Sequence, residues 1–538
     1  MKKLFSLWIA LLCAFSVSAQ DSLGVEKLSN FKFFDGINDI WGYADTSGNE
    51  YALVGINSGF AIVDVTVPTN PVQKHFISGA NTTWRDIKTW SHYAYVVHDG
   101  VGASNSDGVW IVNLNTIDSA TVEYTAFFPS VTIGSTKFDY HDAHNLYIDE
   151  NGVLYLFGSN LGIGGASMFD VATDPENPIF IGAYNGNYYH DGVARGDTLW
   201  GAAINAGIFE AVNISNKSNP VVMGSHATPN NFTHNIWFSD DNKTVFTTDE
   251  RKGAYVAAYD VSDMNNITET DRIRTTIFDP NQVIPHNTHV LGNFLVTSYY
   301  TSGLQIVDAS NPDILVETAY YDTSPFSGDG FNGAWGAYPY LPSGNILVSD
   351  RQEGLFVLGS DYPRACFFTA FVKDTATGNP IINASLTMVG SPISGSTNIF
   401  GNFRDGQRDT GNFVVVVQKS GYYPDTLLVK MRAGKIVNRT VNLIPFGFSI
   451  DEDGSFSDGF KMYPNPNTGA IFIELAQVED PQVEVLINDA SGKTVLEQSA
   501  NVGSGKLQIE HNLPRGIYTI AISNGNLKYT PRKLSVIR

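Results

Sequence analysis

The chain has 538 residues, and 33 Lys+Arg against 54 Asp+Glu leave a net charge of −21. That length exceeds one ordinary core, while 12% aromatic and only 16% charged residues exclude a largely disordered chain. The acidic balance argues against nucleic acid or an anionic membrane as partner, and two cysteines, Cys13 and Cys366, exclude a disulfide framework or a cysteine zinc site.

Residues 1–19 read as a secretory signal. Lys2 and Lys3 form the charged start, Leu4 to Phe15 the apolar run, and Val17, Ser18 and Ala19 the small-residue cleavage site. The run is too short for a membrane span, so no transmembrane segment is expected. The remaining Cys366 is expected to be a small buried hydrophobe.

Residues 20–362 repeat themselves. A Gly, an apolar stretch and often an Asp or Asn recur at Gly59 to Asp64, Gly108 to Asn113, Gly165 to Asp170, Gly207 to Asn213, Gly253 to Asp260, Gly303 to Asp308 and Gly354 to Leu358. Four copies run on into an Asn-Pro turn, at Asn70, Asn177, Asn219 and Asn311. A second element precedes each copy and starts at Trp41, Trp84, His144, His190, His234, His286 and Trp335, about 49 residues apart on average. Each unit is then about four short strands without helical periodicity, and seven units predict a β-propeller. The last unit ends after its third strand, so the alternating stretch Val25 to Phe34 is expected to supply the missing outer strand and close the ring. This repeat resembles the LVIVD family, and the span resembles a choice-of-anchor B domain. Gly59 to Asp64 and Gly303 to Asp308 carry that likeness best, whereas the copies with Glu210 and with Ala257 and Ala258 depart from it.

Residues 364–445 keep a strand-and-turn rhythm and resemble a carboxypeptidase regulatory-like β-sandwich, with no histidine and no acidic cluster. A linker is expected over 446–460. Residues 461–538 open on Tyr463-Pro464-Asn465-Pro466-Asn467-Thr468-Gly469. Alternating Ile471, Ile473, Leu475 and Val483, Val485, Ile487 follow, then a turn at Asp489 to Lys493, Leu513-Pro514-Arg515-Gly516-Ile517-Tyr518 and a basic tail. The module resembles the C-terminal sorting domain of type IX secretion cargo. The resemblance implies passage through the periplasm, the secretion machinery as partner, and a final place outside or on the cell. The fold class expected is therefore all-β: a seven-bladed propeller followed by two small sandwiches.

Nine of the eleven histidines lie between His92 and His289. Four consecutive blades start on His144, His190, His234 and His286, each followed by Asn or Asp, and all are expected at the channel mouth with His141, His289 and Asp249 nearby. Repeated packing residues and converging ligands for a divalent transition metal both account for the pattern. No Gly-x-Ser-x-Gly elbow or phosphate loop appears, and no catalytic residue can be named. The surface aromatics Trp90, Tyr188, Tyr189, Tyr299, Tyr300 and Tyr321 are a candidate glycan platform or strand-face packing. The expected function is a secreted or cell-surface binding or scaffold module with an extracellular protein or glycan as ligand. The alternative is a metal-dependent extracellular hydrolase or oxidase working at the histidine cluster.

Overall fold

The computed structural model describes residues 21–445, 459–475, 478, 480–503, 505–524, 527–529 and 531–537. The expected signal and nearly all of the expected linker lie outside these residues. The chain divides into two compact units at Tyr362/Pro363.

The first unit is built around seven antiparallel sheets; in six of them four strands follow in chain order from the axis outward, one of these six gaining a fifth short strand, and the seventh takes its outer strand from the N-terminal segment. We number them as blades 1 to 7. Their first strands are Ile37–Ala44, Ile87–Trp90, Asn145–Ile148, Asp191–Arg195, Thr233–Phe238, Thr288–Leu291 and Ala334–Tyr338. Each first strand touches the next, and the seventh returns to the first, so the sheets form a closed ring. Local chemistry explains the repeat. In blades 1 to 6 the Asp or Asn ending the third strand accepts the backbone N–H two residues on: Thr66 on Asp64 at 3.0 Å, Ala172 on Asp170 at 2.9 Å, Ser215 on Asn213 at 2.9 Å, Ser310 on Asp308 at 2.9 Å. That turn ends the strand and sends the chain outward. The glycine opening the third strand of blade 6, Gly303, takes φ 71°, and a Cβ there would meet the Tyr321 carbonyl oxygen at 2.1 Å.

Val25–Phe31 pairs antiparallel with Gly354–Ser360 and is the outer strand of blade 7. Ser22–Leu23 adds to the outer strand of blade 6, so the N-terminal segment ties two blades together. Apolar side chains fill the gaps between blades: Leu53, Phe60 and Ile62 of blade 1 pack on Ile87, Val96 and Trp110 of blade 2. Blade 7 meets blade 1 through Leu347, Leu355 and Val357 against Ile37, Val54 and Ala61. Burial of each such side chain contributes about 1.5–3 kcal/mol, so every blade is held from both faces.

The second unit holds two separate cores. Around Cys366, Phe368, Val415 and Val441 a three-stranded sheet faces a four-stranded one; Cys366 is fully buried, as expected. In the second core Ile471, Ile473, Leu475, Val483, Val485 and Ile487 are all buried, as their alternation predicts. The opening motif pins the last strand: Asn465 accepts from Ser535 N–H at 2.8 Å, and Asn467 donates to the Ser535 carbonyl at 3.0 Å. Tyr518 donates to the Pro514 carbonyl at 2.8 Å, which gives the Leu-Pro-x-Gly-x-Tyr segment its corner. No α-helix occurs among the described residues, and no helix there is long and apolar enough to cross a membrane.

Candidate metal centre at the propeller axis

The starts of four first strands deliver the histidines. His144, His190 and His286 are each anchored by a backbone bond to the second strand of their own blade: His144 N–H to Phe157 O at 3.1 Å, His190 to Ala202 at 2.9 Å, His286 to Ser298 at 2.9 Å. Equivalent positions on neighbouring blades then bring the imidazoles into one arc. Ring centroids step 4.0 Å from His144 to His190, 4.3 Å to His234, 4.4 Å to His286 and 4.5 Å to Trp335. Trp84 stands at the other end, 6.3 Å from His144.

The rest of the expected ring needs correction. Blades 1 and 2 place Asn38 with Asp39, and Arg85 with Asp86, where blades 3 to 6 place His with Asn or Asp; blade 7 places Trp335 with Gly336. Trp41 lies further along its strand and packs on Tyr338 at 4.8 Å and on His289 at 6.0 Å, at a deeper level of the channel. His289 sits beside Trp237 at 4.6 Å, away from the arc. His141 pairs with Asp142 at 3.0 Å. Asp249 does not face the arc: it accepts Thr228 Oγ1 at 2.5 Å and the backbone N–H groups of Asn230 and Phe232 at 2.7 and 3.1 Å, closing a loop. Its neighbour Glu250 faces the histidines instead. Successive residues of an extended chain point opposite ways, so that alternation was the available signal for choosing between the two acids. Tyr189, Tyr299, Tyr300 and Tyr321 are buried, and no glycan platform forms from them.

Polar residues at this level stitch blades together. Asp86 accepts Leu146 N–H at 2.9 Å, and Asn235 donates to Asp191 at 2.7 Å while accepting Thr288 N–H at 3.0 Å. Asn145 and Asn287 line the cavity under the imidazoles, and their side-chain oxygens are buried. Below them the buried Lys88 ammonium binds Asp86 at 2.6 Å and lies 4.6 Å over the Trp41 ring, so this end of the channel is packed. The cavity between has a volume of about 20 Å³, room for an ion or one water rather than an organic molecule.

Hydrogen bonding orients the rings. His286 donates Nδ1–H to the Trp335 carbonyl at 2.5 Å, which leaves its Nε2 lone pair free. His144 directs Nδ1 at Asp99 Oδ2, 2.9 Å away. Burial opposes the Asp99 charge, but the His144 contact and Gly100 N–H outweigh it and hold that carboxyl below its ordinary pKa. The Glu250 carboxylate stands 3.7 Å from His234 Nε2 and 4.0 Å from His286 Nε2, both beyond hydrogen-bond reach. Tyr300 donates its phenol proton to Glu250. Its backbone takes φ 43°, an unfavourable left-handed turn for a bulky residue, which is strain of the kind stored at functional sites. Burial, then the neighbouring imidazoles, keep His190 and His286 well below the ordinary histidine pKa; at His234 burial outweighs the pull of Glu250. These three rings are therefore neutral imidazoles rather than charged partners for Glu250.

Residues 45–76, 205–228 and 286–323 match the LVIVD repeat family. The propeller contains LVIVD repeats. The matched segments fall in blades 1, 4 and 6 of the LVIVD propeller, and the middle one includes the Glu210 copy that had been expected to depart. Buried Glu210 is accommodated there by the phenols of Tyr184 and Tyr189, at 2.8 and 2.7 Å. Residues 461–537 match the secretion system C-terminal sorting domain. The protein is thus cargo of the type IX secretion machinery, destined for the exterior or the cell surface. No curated protein matches the chain. Among solved structures it is similar to the β-propeller domain of Cps50 (Swd1) from Myceliophteria thermophila, with 8% identity and a TM-score of 0.42 over 62% of this chain and 98% of that one.

Proposed function

We propose that the exported LVIVD propeller is a metal-binding module whose axis holds one divalent transition-metal ion between His234, His286 and Glu250, with His190 and His144 completing the arc. The observation that carries this reading is the convergence of acceptors. One ligand atom from each of the three residues lies within 4.8 Å of the others. Two ligands at about 2.0–2.1 Å from one zinc ion stand at most about 4.2 Å apart, which accommodates the observed 3.7 and 4.0 Å. A neutral imidazole lone pair facing a carboxylate is repulsive until a cation lies between them. Imidazole and carboxylate together suit zinc, copper, nickel or iron. The second contacts of His286 and His144, a backbone carbonyl and a carboxylate, are the partners that orient metal-ligating histidines.

The small cavity favours a binding or scaffold module over turnover of a peptide or sugar at the axis. Export by the sorting domain would present this module to the surroundings of the cell. The test is elemental analysis of the purified protein, followed by melting of the metal-stripped form with added zinc, copper or nickel. Bound metal and a metal-dependent rise in Tm are expected for the native chain. Both should vanish in His234→Ala/His286→Ala. An unmoved Tm and no bound metal in the native protein would leave the histidines as packing residues and the propeller as a plain binding module.

A further inference from the structure

The sandwich that follows the propeller carries a groove of about 780 Å³, lined by all three strands of its three-stranded sheet. That size falls within the range of about 300–1,000 Å³ common to ligand sites. Alternation along Cys366–Asp374 builds it: Phe368, Ala370 and Val372 turn into the core, so Thr369 and Phe371 turn out. In register across the sheet, Phe371 lies between Asn402 and Thr440, and Thr369 between Arg404 and Asn438. One ring is thus set among amides, hydroxyls and a guanidinium, whereas a site for an apolar molecule would be lined mainly by apolar side chains. The turn that supplies two lining residues, Asn398 and Asn402, adds a second apolar feature. Asn398 Oδ1 accepts the N–H groups of Phe400 at 2.9 Å and Asn402 at 3.0 Å, and Gly401, at φ 73°, donates to the Asn398 carbonyl at 3.0 Å. The turn is pinned, yet it holds Ile399 and Phe400 in water, 66% and 64% exposed, which forgoes the burial that stabilises apolar side chains elsewhere.

We propose that this groove binds an acidic polysaccharide outside the cell, with Phe371 against the apolar face of a sugar ring and Arg404 and Arg439 on its carboxylates. A sugar presents both kinds of surface the groove offers: a C–H face that packs on an aromatic ring, and hydroxyls that need donors and acceptors beside it. Asn402 and Thr440 supply such groups on the neighbouring strands, about 4.7–4.9 Å to either side of the strand that carries Phe371. Charge selects the acidic class. Arg404 and Arg439 both line the groove, and the acid among the lining residues, Asp405, accepts Gly406 N–H at 2.8 Å while burial pushes its pKa up. Two guanidiniums outweigh that one carboxyl, so the groove is locally cationic in a chain of net charge −21. A guanidinium fork matches a sugar carboxylate in shape as well as charge. Export by the sorting domain brings the chain to where such polymers are met.

The experiment is calorimetric titration of the full chain with an oligogalacturonate, beside maltoheptaose as a neutral sugar and oligothymidylate as a polyanion of another kind. Saturable binding of the oligogalacturonate is expected, weakening as sodium chloride is added. Arg404→Gln/Arg439→Gln should weaken it about ten-fold, the effect of losing a charge-assisted hydrogen bond, and Phe371→Ala about five-fold, the effect of losing one ring contact. Phe400→Ser alters a ring already in water, so the sandwich stays folded, and it should weaken binding as well. No binding of the oligogalacturonate, or equal affinity for maltoheptaose or oligothymidylate, would overturn the proposal. Native affinity in both the double arginine variant and Phe400→Ser would overturn it too.

Discussion

His286 gives its Nδ1 proton to the backbone oxygen of Trp335, one blade further round, at 2.5 Å. That bond fixes which nitrogen remains for other work: Nε2, turned toward Glu250 at 4.0 Å. Blade-to-blade packing thereby selects the tautomer that the proposed metal site requires of His286.

In the proposed metal site Glu250 is the anionic donor, and Tyr300, which donates its phenol proton to it, positions it. Glu250→Gln should lower metal affinity by about 10–100-fold with little change in the metal-free Tm, because the carboxylate is lost but its volume remains. Tyr300→Phe should produce a smaller loss of the same kind, since the phenol acts only through Glu250. Competition with a chromophoric chelator measures both; equal affinities in all three proteins would remove Glu250 from the coordination sphere.

Ring closure by the N-terminal strand predicts a large effect from a small deletion. Removing residues 21–31 strips the outer strand of blade 7 and the extra strand of blade 6, and uncovers the apolar contacts of Val25, Leu28 and Phe31. At about 1.5–3 kcal/mol for each fully buried apolar side chain, the propeller should lose several kcal/mol and melt many degrees lower. Deleting 461–538, which has a core of its own, should leave the propeller transition where it is. Calorimetry of the two truncations decides between this closure and another.

Asp322 is a buried acid whose pKa is pushed up to about 6, first by burial and then by Asp350 and Asp21. A folded pKa above the unfolded value means no penalty below about pH 4, where both states are protonated. Stability is then lost as pH rises through about 6. Asp322→Asn should therefore match the native protein at pH 4 and exceed it by about 2 kcal/mol at pH 8. Paired melting curves at the two pH values supply the measurement, and a difference that does not grow with pH would refute it.

Export depends on a module with its own hydrophobic core. Deleting residues 461–538 should leave a folded protein in the periplasm. Cell fractionation that finds the truncated chain outside in normal amounts would show a second export signal.

Much of this protein could be read along the chain because its information is local. The Gly-to-Asp repeat encodes a strand and the turn that ends it, the alternation at Ile471, Ile473 and Leu475 encodes one buried face, and Asn465 and Asn467 announce the sorting module. Strand periodicity and turn chemistry need only neighbours in sequence. The recurrence of His144, His190, His234 and His286 at equivalent blade positions likewise implied a common level on the axis. Tertiary structure decided the rest. Trp41 and His289 share the aromatic, repeat-spaced look of the ring yet lie at another depth, because one or two residues of shift along a first strand move a side chain along the axis. Asp249 and Glu250 are adjacent acids, but only the second faces the histidines. Its partner Tyr300 comes from the next blade, 50 residues on, a contact that only the closed ring of blades brings about.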